Sequence, residues 1–204
     1  MLLCASSSRN RQPVRMHHIE PFYRWVDEYN ACEDKYSPFY GRAYSESQYT
    51  HSIYNYLIHP QWDEFGSETL FMKILYVDYP DGFAVLEFIG EWNDAVNNDI
   101  MQLKTEVLEV LLRNGIRKFL LLGERVLNFH PSDDCYYEDW FQDVDEGWIV
   151  AINFRDHVRE EWSRCGIDQY VHFGGELDEM PWQKYHPTEL FRHVDGLVNR
   201  RLTF

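Results

Sequence analysis

Apolar residues along this chain follow two rhythms. Phe83–Trp92 and Gly115–Gly123 are short, nearly unbroken apolar runs bounded by turn residues, the pattern of strands buried on both faces. Between them, Asn93–Asn114 places Val96, Ile100, Leu103, Val107 and Val110/Leu111 at helical spacing. One stripe of this helix therefore faces a sheet. Asn93 or Asp94 suits the helix start, and Asn114-Gly115 ends it because glycine accepts the left-handed conformation of a helix terminus. Strand, helix and strand make a βαβ unit, with a right-handed crossover between parallel strands.

The same rhythms continue on either side. Leu70–Val77 reads as a strand, and Tyr79-Pro80-Asp81-Gly82 as a tight turn that returns it antiparallel into Phe83. Downstream, Ser132–Phe141 reads as a short helix, Gly147–Phe154 as a buried strand and Arg155–Cys165 as a helix with Val158, Trp162 and Cys165 inward. Gln169–Phe173 reads as a short strand and 174–186 as an irregular loop. The last helix spans Thr188–Leu202, with Leu190, Phe191, Val194, Leu197 and Val198 on one stripe. The expected order from residue 70 is β-β-α-β-α-β-α-β-α. The class is α/β, a mixed sheet around a parallel βαβ core.

Residues 16–66 differ. They hold 13 aromatics in 51 positions, too dense for a disordered linker and fitting for a segment that packs on the main domain. Ile19, Phe22, Tyr23, Val26 and Tyr29 share a helical face behind Pro21, predicting a helix at about 21–31. Tyr49–Ile58, rich in β-branched and aromatic residues, predicts a strand. The expected organisation is 1–15 as a disordered tail or a mis-called start with Met16 as initiator, 16–66 as an aromatic-rich N-terminal segment, and 67–204 as the α/β domain.

Charge narrows the partners. The net charge is −15, and three arginines before residue 16 make the remainder more acidic still. Such a surface repels phosphate backbones, so nucleic acid and anionic membrane are not expected partners. No run reaches the about 20 apolar residues that span a bilayer. Cys4, Cys32, Cys135 and Cys165 are scattered, without zinc-ligand spacing, which suits a reducing cytoplasm.

Candidate chemistry collects at one edge. In open α/β sheets ligands bind beyond the carboxyl ends of the strands. The predicted topology brings there Glu91, Asn93 and Asp94; His130, Ser132, Asp133 and Asp134; Asn153, Arg155, Asp156 and His157; and His172 and Glu176. Histidine, carboxylate and arginine together suit acid/base work or a metal, but Asx and Ser at these places are also the expected helix caps. Cys135 follows Asp133 and Asp134 and precedes Glu138 and Asp139, whose charges disfavour a thiolate. The seven acids between Asp133 and Glu146 alternate with Tyr136, Tyr137, Trp140 and Phe141, an amphipathic helix or an acidic lip for a protein partner. No phosphate loop, nucleophile elbow or metal-binding histidine helix occurs. No cofactor or metal is therefore expected.

The element order from residue 70 resembles the STAS domain of anti-sigma-factor antagonists and sulfate-transporter ends. Gly90-Glu91-Trp92-Asn93-Asp94 and Leu120–Ser132 are similar to that domain's strand end and regulatory loop. The resemblance implies a non-catalytic regulatory or protein-interaction domain, with the loop after Phe119–Leu122 as its recognition surface. Antagonist-type members carry a phosphorylated loop serine. Here His130 replaces the loop aspartate and Ser132 stands only near the acceptor position, so the resemblance does not carry the phosphorylation over. The expected partner-binding set is Asn93, Asp94, His130, Ser132, Asp133, Asp134, Asn153, Arg155 and His157. The alternative is a small cytosolic enzyme with an acid/base site at the same edge.

Overall fold

The computed structural model describes residues 17–45, 47–49, 51–54, 56–132 and 136–202. The reading of residues 1–15 lies outside them. Three short strands open the chain: β1 (His17–Ile19), β2 (Ser52–Ile53) and β3 (Tyr56–Ile58). They form a small sheet in the order β1-β3-β2. The strand expected over 49–58 is thus broken into two antiparallel pieces, because Tyr54 turns the chain with φ 53°.

The helix expected at 21–31 is absent. The chain makes only isolated turns there, with Val26 N donating to Tyr23 O and Tyr29 N to Trp25 O. The apparent stripe does not act as one face: Ile19, Phe22 and Tyr29 pack against the core, but Tyr23 and Val26 are exposed and Trp25 is buried instead. Phe22 N donates to the Glu87 carboxylate, which fixes this stretch to the sheet as irregular chain.

The main sheet runs β4-β5-β6-β7, with β4 (Leu70–Asp78), β5 (Phe83–Asn93), β6 (Lys118–His130) and β7 (Trp148–Ile152). β4 pairs antiparallel with β5, and β5, β6 and β7 are mutually parallel. This is the mixed α/β sheet with a parallel βαβ core. Between β5 and β6 run α1 (Asp94–Asn97), α2 (Asp99–Leu103), a π-helical turn over Lys104–Leu108, and α3 (Glu109–Arg113). Ile100, Leu103, Val107 and Leu111 are fully buried as the stripe predicts, but Val96 is 80% exposed. Asn98 at φ 50° breaks the helix between α1 and α2 and turns Val96 off the stripe.

Two apolar layers flank the sheet. α1–α3, α4 (Tyr136–Val144) and α5 (Asp156–Arg164) cover one face, where Leu86, Phe88, Trp92, Leu103, Trp140 and Trp162 pack. α6 (Pro187–Leu202) and the 177–182 loop cover the other, with Phe83, Val85, Leu120, Val150, Trp182 and Leu190. The N-terminal segment packs on both faces, with Ala31, Phe39 and Phe65 in the first layer and Trp25 in the second. Trp25 stacks edge-on against Trp182, and Trp62 packs with Phe71 and Ile89. The strand expected at 169–173 reduces to one parallel bridge, His172 to Val150, because the chain curls into a 3-10 turn at Ile167–Gln169 first.

Candidate functional site

Strand β6 does not end in a loop after Leu122. It continues to His130, pairing Glu91 with Asn128 and Asn93 with His130 across two register shifts. β7 pairs only Lys118–Leu122 of it. Beyond that point β6 keeps only β5 as a neighbour, and past Gly90, where pairing with β4 ends, the two strands run on as a two-stranded tongue, so the regulatory loop expected there is strand up to His130. The register shifts are bulges, which bend the tongue and let polar residues enter the strand. Gly123 is required on β6, because a Cβ there would lie 2.2 Å from the Phe154 ring.

One side of the tongue buries an aromatic cluster. Trp92 packs on Phe88 and Tyr137, and Trp162 meets Trp92, Phe129 and Phe154. The polar residues at the end of β5 are fixed by the helix starts that follow them. Asn93 caps α1, its side chain accepting from Val96 N at 3.0 Å. Asp94 accepts from Trp92 Nε1, Ile100 N and Tyr137 Oη at 3.0, 2.9 and 2.8 Å, and so caps α2 across the Asn98 break. Burial pushes the Asp94 carboxyl up to about 7 against these hydrogen bonds, with Asp99 adding repulsion. Asp99 is also raised by burial, and its Oδ2 accepts from Asn93 N at 2.6 Å.

Asp94 and Ser132 line one cleft of about 490 Å³ with Phe129, Pro131, Tyr137 and Tyr170. His130 is exposed beside it at the tip. Asp133 and Asp134 lie outside the described residues, as does Cys135. The third group does not join this cleft. Asn153, at φ 58°, clamps Met180 through both its amide atoms, at 2.8 and 2.7 Å. Arg155 is exposed at the start of α5, and His157 Nε2 donates to Leu127 O at 2.8 Å. Asn93, Asp94 and Asn153 are thus engaged in the fold, while His130, Arg155 and His157 reach solvent. Among the described residues no cluster of three His, Cys, Asp or Glu groups could hold a metal ion.

Sequence reasoning missed the outer side of the tongue. There Glu91 accepts from Tyr54 Oη and from Asn128 Nδ2, and these bonds, with the His130 charge, hold its carboxyl below the usual range. Tyr54 is 66% exposed and its neighbour Tyr56 41%. The only signal in the sequence was the aromatic density of 16–66.

No family model matches the chain, and no curated protein matches it. Solved structures do. The anti-sigma factor antagonist SpoIIAA in its unphosphorylated form is similar with a TM-score of 0.42 and 12% identity, over 61% of this chain and 96% of that one. The Bacillus cell fate determinant SpoIIAA in its phosphorylated form gives 0.39 and 11%, over 60% and 98%. Both are likenesses of fold at low identity. Among the described residues no helix is long and apolar enough to cross a membrane.

Proposed function

We propose that this chain is a non-catalytic, STAS-like regulatory or protein-interaction domain of the cytoplasm, and that the tip of the β5–β6 tongue is its recognition surface. One observation carries the reading. At the tip, His130 and Tyr54 are exposed over a hydrogen-bonded Glu91–Asn128 pair, while Asn93 and Asp94 behind them are engaged as helix caps. A strand end presenting an exposed phenol and an exposed imidazole suits a contact surface, and tyrosines are common interface anchors. Ser132, Arg155 and His157 extend that surface, with Asp133 and Asp134 following in sequence.

A second reading, a small enzyme at this edge, draws on the Asp94 carboxyl. It lines the cleft beside Ser132 and its pKa is about 7, as a general acid or base needs. Its three hydrogen bonds to Trp92, Ile100 and Tyr137 favour the structural role.

Once a partner is in hand, Tyr54→Ala and His130→Glu are each expected to weaken its binding, by about tenfold or more for the aromatic anchor. Glu106→Lys, on the exposed face of the π-helical turn, should leave affinity unchanged. Calorimetric titration of folded variants checks this. Unchanged affinity in both tip variants removes the tongue as the recognition surface.

A further inference from the structure

A second cleft lies elsewhere, between the irregular N-terminal segment and the outer strand β4. It holds about 640 Å³ and is lined by Phe22, Tyr23, Trp25 and Tyr29 together with Arg42, Tyr44 and Lys73. Lys73 is a single charge inside the apolar run Leu70–Val77. Its side chain is 13% exposed, and its ammonium sits 3.2 Å from Asp63 Oδ2 and 3.8 Å from the centre of the Tyr44 ring. Asp63 is fully buried and already has other partners. Arg42 Nη1 donates to its Oδ1 at 2.9 Å and Tyr44 Oη at 2.6 Å.

The charges do not cancel. Two cations share one carboxylate, leaving one positive charge on the cleft wall of a strongly acidic protein. Glu20 is the one carboxylate among the described lining residues, and it stands on the rim with its side chain 54% exposed. Removing an ion from water without a partner costs several kcal/mol, and burial accordingly holds the Lys73 pKa below its ordinary value despite Asp63. Donors are left for a further acceptor. An ammonium has three N–H groups and a guanidinium five, of which Asp63, the Tyr44 face and the Glu64 carbonyl occupy few. The mouth is apolar, with Tyr23 69% and Val26 55% exposed, so aromatic side chains and two cations line the same cleft.

We propose that this cleft binds a small anionic aromatic molecule, its anionic group on Lys73 and Arg42 and its ring against Phe22, Tyr23 and Tyr29. The anion completes the charge balance that Asp63 leaves open. The ring covers the exposed side chains at the mouth, and aromatic pairs add to simple burial. This site is independent of the tongue, and its failure would leave the tongue reading standing.

Phenyl phosphate serves as the probe, with inorganic phosphate and phenol as its two halves, titrated calorimetrically into the full chain. Saturable binding of phenyl phosphate, tighter than either half, is expected. Lys73→Met keeps the length of the side chain and brings the Arg42–Asp63 pair to neutrality. It should weaken phenyl phosphate binding about tenfold, the loss of one charge-assisted hydrogen bond. Arg42→Gln, at a position with a more exposed side chain, should do the same and carries the test if Lys73→Met fails to fold. Phenyl phosphate binding no tighter than its halves, or wild-type affinity in the folded variants, overturns the proposal.

Discussion

A chain beginning at Glu68 is expected to lose cooperative unfolding altogether. The removed residues include five large buried side chains, Trp25, Phe39, Ile58, Trp62 and Phe65. Burying each stabilises by about 1.5–3 kcal/mol, so the segment contributes on the order of 10 kcal/mol, comparable to the whole net stability of a domain. Polar contacts go with it. Glu87 is 4% exposed beneath Phe22 and would keep Arg125 but lose the Phe22 N–H. The outer edge of β4 would lose the Asp63–Met72 bridge that covers it, leaving an unpaired strand edge open to association. Circular dichroism during a thermal scan, beside the full chain, reads the result. A cooperative transition at the full chain's temperature would mean that residues before 68 are an appendage.

Gly90→Ala is expected to cost about 2–6 kcal/mol, the combined range for backbone strain and overpacking. Gly90 sits in β5 at φ 122°, a conformation that residues with a side chain rarely adopt. A Cβ there would fall 2.1 Å from Thr69 O and 2.6 Å from Ile53 Cδ1. Thr69 O cannot retreat freely, because it accepts from Glu91 N at 2.9 Å. Gly196→Ala in α6 makes the contrast. A Cβ at Gly196 would meet nothing within 4 Å, and relief of glycine's helix penalty should stabilise by about 0.5–1 kcal/mol. Urea denaturation of the two variants separates them, and a Gly90→Ala midpoint equal to that of wild type would contradict the close approach of β5 to Thr69.

The sheet was legible because its strands are buried on both faces by the helices and loops that cover it. Leu70–Val77, Phe83–Trp92 and Trp148–Ile152 announce themselves by that burial. The outer half of β6 did not. Glu124, Arg125 and Asn128 look like loop residues, yet here they lie in a strand with one neighbour, and their side chains are used. Glu124 accepts from Trp182 Nε1, Arg125 donates to Glu87, and Asn128 donates to Glu91. These partners lie 37 or more residues away in the chain, beyond any local pattern. The N-terminal helix failed for a related reason, since a long-range acceptor takes the Phe22 N–H and Trp25, outside the supposed stripe, is the anchor.

The candidate site divides along the same line. Asn93 and Asp94 were legible as helix-start residues, and the structure uses both as caps. The cleft that Asp94 lines was not, because Arg164, Tyr170 and Cys165, which is exposed and not inward as expected, reach it from the end of α5 and beyond. Tyr54 was hidden among thirteen aromatics, and only its pairing with Glu91 distinguishes it. Lys73, a charge inside the apolar run of β4, was not singled out from the sequence, and it acquires meaning only with Asp63, Arg42 and Tyr44 placed around it.

The most direct measurement of the recognition claim is site-specific photo-crosslinking in the native cell, with a benzophenone side chain at position 130 and, separately, at position 106. The account predicts a discrete protein adduct of fixed mass from position 130, lost when Tyr54→Ala is added, and none of that mass from position 106. The same adduct from both positions, or its survival in the Tyr54→Ala background, would contradict a recognition surface at the tip of the β5–β6 tongue.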